Sequence, residues 1–289
     1  MNIFKNRVAV ITGGGAGIGR AMAERFARAG MKIVLADVEA GVLNRTARDM
    51  RRAGHDVLAV RTDVTKARSI EALAAKTLAA FGGVHVLCNN AGVYPPDRFS
   101  PVWEAPLEDW HWALDVNLYG IVHGIRTFMP IMLKSGEPCH VVNTASLAGM
   151  LSGSGSPVYG ATKHAVVRLS EAMYASLREL KSKVGVSVLC PGVVQTGIFA
   201  SERNRPGKLR GVGAPEKYRS LGSIPMQNAM SPGDVAEQVF KAIRARQFYV
   251  ITTTGYDDAL RDRMNWILKR QNPQVPDIRS MYKRNSKAL

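Results

Sequence analysis

The chain has 289 residues, 46% of them hydrophobic, which suits one large α/β domain or at most two small ones. It has no apolar run of the length that spans a bilayer, and a strand-like segment begins near the N-terminus. We therefore expect no transmembrane helix and no secretory signal. Cys88, Cys139 and Cys190 lack metal-type spacing, which favours free thiols in a reducing cytoplasm over a zinc site or a disulfide framework.

The formal net charge is +16, and the excess of Lys and Arg is concentrated in the last third of the chain. This balance is compatible with an acidic partner such as nucleic acid, a membrane surface or an anionic substrate, but we favour an ordinary solvated basic surface. No dense basic block or interleaved aromatic run indicates nucleic-acid binding. We therefore expect a small-molecule partner, without nucleic acid and without membrane insertion.

Apolar, β-branched runs alternate along the chain with amphipathic stretches of helical length. This alternation predicts an α/β fold: a Rossmann-type, doubly wound parallel sheet of about seven strands, with helices on both faces, in a single domain. The predicted strands are Arg7–Thr12, Lys32–Asp37, Asp56–Arg61, Val84–Cys88, His140–Ala145, Val186–Cys190 and Phe248–Thr252. The predicted helices are Ile18–Ala29, Ala40–Ala53, Ser69–Phe81, Leu107–Leu133, Tyr159–Leu180 and Ser231–Arg246.

Two segments depart from this alternation. Residues 195–230 contain several Gly and Pro residues and have little periodicity, so we predict that they form a substrate loop. Residues 271–289 form a polar, basic C-terminal tail. The predicted domain accordingly covers residues 1–270.

A glycine-rich turn, Thr12 to Gly19, joins the first predicted strand to the first predicted helix. Glycines allow a pyrophosphate to approach the backbone, and a helix N-terminus offers free N–H groups to it. The spacing of these glycines differs from the G-x-G-x-x-G form, but the position of the turn still predicts a dinucleotide site. Asp37 ends the second predicted strand, where its carboxylate can accept bonds from both ribose hydroxyls and repel a 2′-phosphate. With apolar Val38 next and no charge on Ala16, these residues favour NAD over NADP.

Tyr159 and Lys163 lie four residues apart, on one face of a predicted helix. The ordinary pKa of a tyrosine phenol is about 10. We expect the neighbouring ammonium to lower the pKa of Tyr159. Ser146 follows the predicted strand His140–Ala145, so its hydroxyl can hold a substrate oxygen beside the phenol. Because parallel strands end at one edge of a sheet, we expect the segments that follow them to converge there. These are the glycine turn, Asp37, the turn Asn89–Gly92, Ser146 and Pro191-Gly192.

Taken together, these motifs resemble the short-chain dehydrogenase/reductase family over roughly residues 5–255. The resemblance implies a catalytic set of Asn117, Ser146, Tyr159 and Lys163. It also implies that a local helix distortion exposes the carbonyl of Asn117, which would hold a water in a proton relay to Lys163. It further implies a homotetramer or dimer built on the helices at 107–133 and 157–182. The cofactor contacts that it implies, together with those argued above, are Gly13, Gly15, Ala16, Gly17, Ile18, Gly19, Asp37, Asp63, Val64, Asn90, Ala91, Gly92, Tyr159, Lys163, Pro191, Gly192, Val194 and Thr196.

The implied reaction is hydride transfer between NAD and a secondary alcohol or ketone. The predicted pocket is mostly apolar, which favours a bulky hydrophobic or aromatic substrate. Its residues are Ser146, Tyr159, Tyr94, Ala148, Met150, Leu151, Ile198 and Phe199.

Three alternatives stay open. The basic loop residues Arg203, Arg205, Lys208 and Arg210 are either solvated or bind an anionic group. The second alternative is that the enzyme is an NADPH-dependent carbonyl reductase of the same fold rather than an NAD-dependent enzyme. The third alternative is a non-catalytic dinucleotide sensor or nucleic-acid-binding protein, although a sensor has no need of Ser146, Tyr159 and Lys163 together.

Overall fold

The computed structural model describes residues 4–95, 100–151, 153, 156–210 and 229–274. Its centre is a seven-stranded sheet in which every pair of neighbouring strands is parallel, in the order β3-β2-β1-β4-β5-β6-β7. This architecture confirms the predicted doubly wound sheet. The strands are β1 (Val8–Thr12), β2 (Lys32–Asp37), β3 (Val57–Arg61), β4 (Val86–Asn89), β5 (Cys139–Thr144), β6 (Val184–Cys190) and β7 (Tyr249–Ile251).

Helices connect these strands. They are α1 (Gly17–Arg28), α2 (Ala40–Arg52), α3 (Ala67–Phe81), α4 (Leu107–Ala113), α5 (Gly120–Ser135), α6 (Pro157–Glu179), α7 (Pro232–Ala245) and α8 (Asp257–Leu268). Apart from the segment at 107–133, the predicted strands and helices end within two residues of the observed ends. None of the helices in the described ranges is long and apolar enough to cross a membrane.

The two faces of the sheet carry separate apolar cores, because successive side chains of a strand point to opposite faces. From β1, Ala9 and Ile11 pack with side chains of α1, α2 and α7. Val8 and Val10 pack instead with side chains of α3, α5 and α6. The sheet is therefore buried on both sides, as its nearly continuous apolar strands predicted.

The predicted helix at 107–133 is present, but a local distortion interrupts its α-helical geometry. The chain forms α4, then a π-helical segment, Leu114–Tyr119, and then α5. A single wider turn is too short a departure from the α-helical repeat for the apolar pattern to reveal it. The distortion surrounds Asn117, where the family resemblance placed one.

Helix α8 was not predicted, and no residue of it is buried. Within the predicted loop at 195–230, the chain forms short 3-10 helices at Gly197–Asn204 and Gly207–Leu209. Residues 211–228 of that loop and 275–289 of the predicted tail lie outside the described residues. The three cysteines are buried and free, as expected.

Gly124 of α5 packs directly on β4. A Cβ built on it would lie 2.1 Å from the side-chain oxygen of Asn89, a fully buried residue. We expect Gly124→Ala to lower the free energy of unfolding in urea by about 1–3 kcal/mol, because the extra methyl overpacks this contact.

Gly41→Ala is the matched control, since Gly41 lies in α2 with only a flexible arginine tip near the built Cβ. It should raise the free energy of unfolding by about 0.5–1 kcal/mol. Equal destabilisation by both substitutions would contradict the close approach of α5 to β4.

Candidate active site

The glycine-rich turn adopts backbone conformations and contacts that favour glycine. Gly13 and Gly17 have φ values of 63° and 54°, in the left-handed region. A Cβ on Gly19 would lie 2.1 Å from the carbonyl oxygen of Gly13. At the start of α1, the N-cap residue Ala16 provides no side-chain hydrogen bond, and the first turn holds no acidic residue. The first N–H groups of α1 are therefore left without a side-chain cap.

Thr12 fixes this turn to the end of β4. Its hydroxyl oxygen accepts the backbone N–H groups of Asn90 at 2.9 Å and Ala91 at 3.1 Å. The Asn90 side-chain amide donates back to the carbonyl of Thr12 at 3.0 Å. The turn at Asn89–Gly92 and the glycine turn are therefore held together, as the convergence of strand ends predicted.

Asp37 lies beside the glycine turn. One carboxylate oxygen accepts the N–H of Gly15 and the other accepts the N–H of Glu39, both at 3.0 Å. Burial raises the pKa of Asp37 above its ordinary value, although these hydrogen bonds act in the opposite direction. The end of β2 therefore holds a carboxylate in a fixed orientation against the turn.

Asp63 and Val64 follow β3, but each already has a contact within the protein. The Asp63 carboxylate accepts the N–H of Thr65 at 3.0 Å and its hydroxyl at 2.7 Å. Val64 is buried, and its side chain lies against Gly120 at the start of α5. These contacts shape the connection after β3.

The segment Pro191–Thr196 leaves β6 and runs towards the glycine turn. Residues 193–195 pair with Met230, which donates to the carbonyl of Val193 and accepts the N–H of Gln195, both at 3.0 Å. The methyl group of Thr196 would lie 3.1 Å from a Cβ on Gly17. Thr196 therefore lies against the glycine turn.

Tyr159, Ser146 and Lys163 come together where β5 ends and α6 begins. Ser156 caps α6 by accepting the N–H of Tyr159 at 3.2 Å, which places Tyr159 in the first helical turn. The Ser146 side chain lies beside the Tyr159 phenol and acts to lower its pKa, and the Ser146 oxygen accepts the N–H of Ala148 at 3.1 Å. Lys163 donates to the carbonyl oxygen of Thr144 at 2.9 Å, and its Nζ lies 5.5 Å from the centre of the Tyr159 ring.

Burial dominates the electrostatics of this pair. Tyr159 is 8% exposed and Lys163 is 2% exposed. Burial raises the pKa of Tyr159 to about 12 and lowers the pKa of Lys163 to about 8. The predicted lowering of the Tyr159 pKa is therefore wrong for the protein alone, because loss of water around the phenolate outweighs the stabilisation expected from the ammonium. At neutral pH the phenol keeps its proton.

Asn117 joins the same cluster from the π-helical segment. It is fully buried, and its side chain accepts the N–H of Val93 at 2.8 Å and donates to the carbonyl of Val93 at 3.1 Å. A second bond of its amide reaches the hydroxyl of Thr162 at 3.1 Å. A Cβ on Gly92 would lie 3.3 Å from the Asn117 side-chain oxygen and 3.5 Å from the Lys163 Nζ. Asn117 and Lys163 thus flank Gly92.

A cavity of about 560 Å³ opens in front of Ser146 and Tyr159. Tyr94 forms an aromatic wall of this cavity. The centre of its ring lies 4.7 Å from the ring centre of Tyr159 and 5.1 Å from that of Phe199. Of the other predicted pocket residues, Ala148, Leu151 and Ile198 also line the cavity.

Met150 is not among the residues that line the cavity. It is partly buried and packs on the apolar cluster that contains Val166 and Val188. His164, Tyr256 and Arg263 also line the cavity, although the sequence patterns did not predict them. Arg263 lies on the unpredicted α8, and the position of His164 next to Lys163 was the one available signal for that residue.

The proposed anion-binding role of Arg203 and Arg205 does not agree with their contacts. Arg205 is 3% exposed, forms a buried ion pair with Asp109, and lies 4.4 Å above the Trp112 ring. Arg203 pairs with Glu39 at 2.8 Å on the surface. Both guanidinium groups are engaged within the protein, whereas Lys208 and Arg210 are exposed.

Comparison with known proteins identifies the family. A family model described as short chain dehydrogenase matches residues 7–207. The chain belongs to the short-chain dehydrogenase/reductase family. It is therefore an oxidoreductase, and its seven-stranded parallel sheet is that of a family member.

Relatives match along most of the chain. A short-chain dehydrogenase/reductase from Burkholderia phymatum, solved in complex with NAD, is 45% identical with a TM-score of 0.90, and the match covers 94% of this chain and 98% of that one. A 1-deoxy-11-beta-hydroxypentalenate dehydrogenase from Streptomyces exfoliatus is 37% identical over 91% of this chain and 88% of its own. The 2,5-dichloro-2,5-cyclohexadiene-1,4-diol dehydrogenase LinX of Sphingobium indicum is 38% identical over 81% of this chain and 88% of its own.

The buried Arg205 gives a stability test. We expect Arg205→Met to lower the free energy of unfolding by about 3–5 kcal/mol, because it leaves the Asp109 carboxylate buried without its cation. Arg203→Met removes an exposed ion pair and should lower the free energy of unfolding by at most about 1 kcal/mol. Urea denaturation of both variants measures the difference, and equal small effects would contradict a structural role for Arg205.

Proposed function

We propose that this short-chain dehydrogenase/reductase catalyses reversible hydride transfer between NAD and a secondary alcohol or ketone. One observation carries the proposal. The same cavity is lined by Ser146 and Tyr159 and by Ile18 and Thr196, which lie at the glycine turn. A dinucleotide laid on the turn would therefore meet a substrate held by the two hydroxyls.

The residues of the turn fit a dinucleotide. The uncapped first turn of α1 offers N–H groups and a positive helix end to a pyrophosphate. Asp37 and Glu39 place two carboxylates at the expected ribose end, which disfavours a 2′-phosphate, and Arg203 is engaged with Glu39. The complex of the Burkholderia relative with NAD supports the same choice. We infer that the predicted cofactor residues, including Asp63, Val64, Pro191, Gly192 and Val194, surround NAD.

In this proposal the side chains of the site handle the proton. When bound, the nicotinamide supplies or accepts the hydride. Ser146 holds the substrate oxygen, and Tyr159 gives a proton to it in reduction or takes one from it in oxidation. The raised pKa of Tyr159 suits the reductive direction at neutral pH.

Oxidation requires the phenolate. Its negative charge is favoured by the Lys163 ammonium and by the positive ring of the oxidised cofactor. In this proposal the carbonyl of Asn117 holds a water in a proton relay to Lys163. Lys163 also contacts the nicotinamide ribose. Both roles rest on the family resemblance.

The cavity favours a bulky hydrophobic or aromatic substrate, because Leu151, Ile198 and Phe199 give it an apolar wall beside the aromatic pair of Tyr94 and Tyr159. The LinX relative is named for a chlorinated cyclic diol, which agrees with a ring-bearing substrate.

A homo-oligomer stays part of the proposal. Exposed apolar side chains lie on and before the helices expected to pack together, including Trp103, Leu107, Tyr119, Leu133 and Tyr174.

Tyr159→Phe tests the acid–base role. Removing the hydroxyl should lower kcat for the best alcohol found in an NAD-linked screen of aliphatic, aryl and cyclic alcohols by about 10²–10⁴-fold. The Kd for NAD, measured by calorimetry, should change little. Tyr174→Phe is the control on the same helix, at an exposed position away from the cavity, and should keep the wild-type rate. Near-normal turnover by Tyr159→Phe would remove Tyr159 from the mechanism.

Asp37→Ser tests the cofactor preference. Loss of the carboxylate removes both its bonds to the ribose hydroxyls and its repulsion of a 2′-phosphate, so the ratio of kcat/KM for NAD over NADP should fall by about 10–100-fold. Asp49→Ser, which removes an exposed carboxylate of α2, should leave the ratio unchanged. A wild-type preference for NADP would overturn the choice of NAD and favour the alternative NADPH-dependent reductase.

A further inference from the structure

Helix α8 closes one side of the cavity with a cation. Arg263 lines the cavity and is partly buried there, although no residue of α8 is fully buried. Tyr256, at the N-terminus of the helix, lines the same side and lies near Gly192 of the segment after β6. Arg263 therefore faces the space in front of Ser146 and Tyr159.

Within the described residues, the charge of Arg263 has no acidic partner. No Asp or Glu lines this cavity, and Arg263 forms no ion pair there. Arg261, two residues earlier on α8, points elsewhere and pairs with Asp258. Of these two arginines of α8, only Arg263 presents a charge without an acidic partner to the cavity.

The neighbouring imidazole does not add to this charge. The Nδ1 of His164 lies 3.1 Å from the carbonyl oxygen of Gly160, so it carries the proton and donates. Burial, with a contribution from the positive charge of Arg263, lowers the pKa of His164 below its ordinary value. Burial therefore favours the neutral form of His164, and among the described residues that line the cavity Arg263 is the one Arg or Lys.

An apolar substrate that filled the cavity would remove water from this guanidinium without replacing its hydrogen bonds, which is costly. A carboxylate on the substrate would offset that cost, because the guanidinium fork donates two parallel N–H bonds to a carboxylate. We propose that Arg263 makes this enzyme selective for hydrophobic or aromatic alcohols and ketones that carry a carboxylate away from the reacting carbon. The inference rests on the proposed function for the chemistry at Tyr159, but recognition of the anion is a separate property of the cavity.

Binding decides the inference. Para-acetylbenzoate and its uncharged isostere para-acetylbenzamide are titrated by calorimetry into the full chain with NAD present, together with a longer pair, para-acetylphenylbutanoate and its amide. The wild type should bind the carboxylate of at least one pair about 10-fold or more tightly than the amide. Arg263→Met should weaken binding of the carboxylate alone and so bring the two affinities within about 2-fold of each other. The preference of Arg263→Lys for the carboxylate should lie between those of the wild type and Arg263→Met. Arg261→Met is the matched control on the same helix and should behave as the wild type.

Turnover of the corresponding secondary alcohols is measured separately, so that the two proposals fail in different ways. An Arg263-dependent preference for the carboxylate without any oxidation supports the inference and overturns the proposed function. Oxidation of the uncharged alcohols with no preference for the carboxylate overturns the inference and leaves the proposed function in place. The inference is also overturned if Arg261→Met loses the preference for the carboxylate as fully as Arg263→Met does. The same holds if the wild type binds neither carboxylate.

Discussion

The burial of the Tyr159 phenol beside the Lys163 ammonium is the constraint on which the rest of the site depends. Removing water from both groups disfavours their charged forms, so each needs a fixed partner. The Ser146 side chain lies beside the phenol and favours its charged form, and the carbonyl of Thr144 accepts a hydrogen bond from the ammonium. Both partners lie at the end of β5, which explains why α6 must begin directly opposite that strand end.

Hydrogen bonds between strand ends turn this local pair into a site that can hold two ligands. Thr12 joins the glycine turn to the end of β4, and Asn117 joins the connection after β4 to α6 through Val93 and Thr162. These bonds fix the expected cofactor surface relative to the reacting hydroxyls. For hydride transfer the protein contributes placement and electrostatics, while the cofactor supplies the chemistry.

The sequence predicted the sheet and the convergence of its strand ends, because buried parallel strands read as apolar runs and their order limits the connections. Apolar periodicity did not show the π-helical segment around Asn117, and only the family resemblance implied a distortion there. The sequence did not predict α8, whose residues are mostly exposed. The packing of Met150 on the cluster that contains Val166 and Val188, away from the cavity lining, also could not be predicted from the apolar pattern. The direction of the Tyr159 pKa shift depends on burial, which spacing along a helix does not report.

The most direct test of this account is a titration of Tyr159 itself. Tyrosine carrying an isotopic label at Cζ is incorporated into the full chain, and the NMR signal of Tyr159 is assigned by its absence from Tyr159→Phe. The account predicts that in the protein without cofactor this signal keeps its phenol position beyond the ordinary tyrosine pKa of 10.0, towards about 12. Titration below that ordinary value would contradict it, because the lysine rather than burial would then control the phenol.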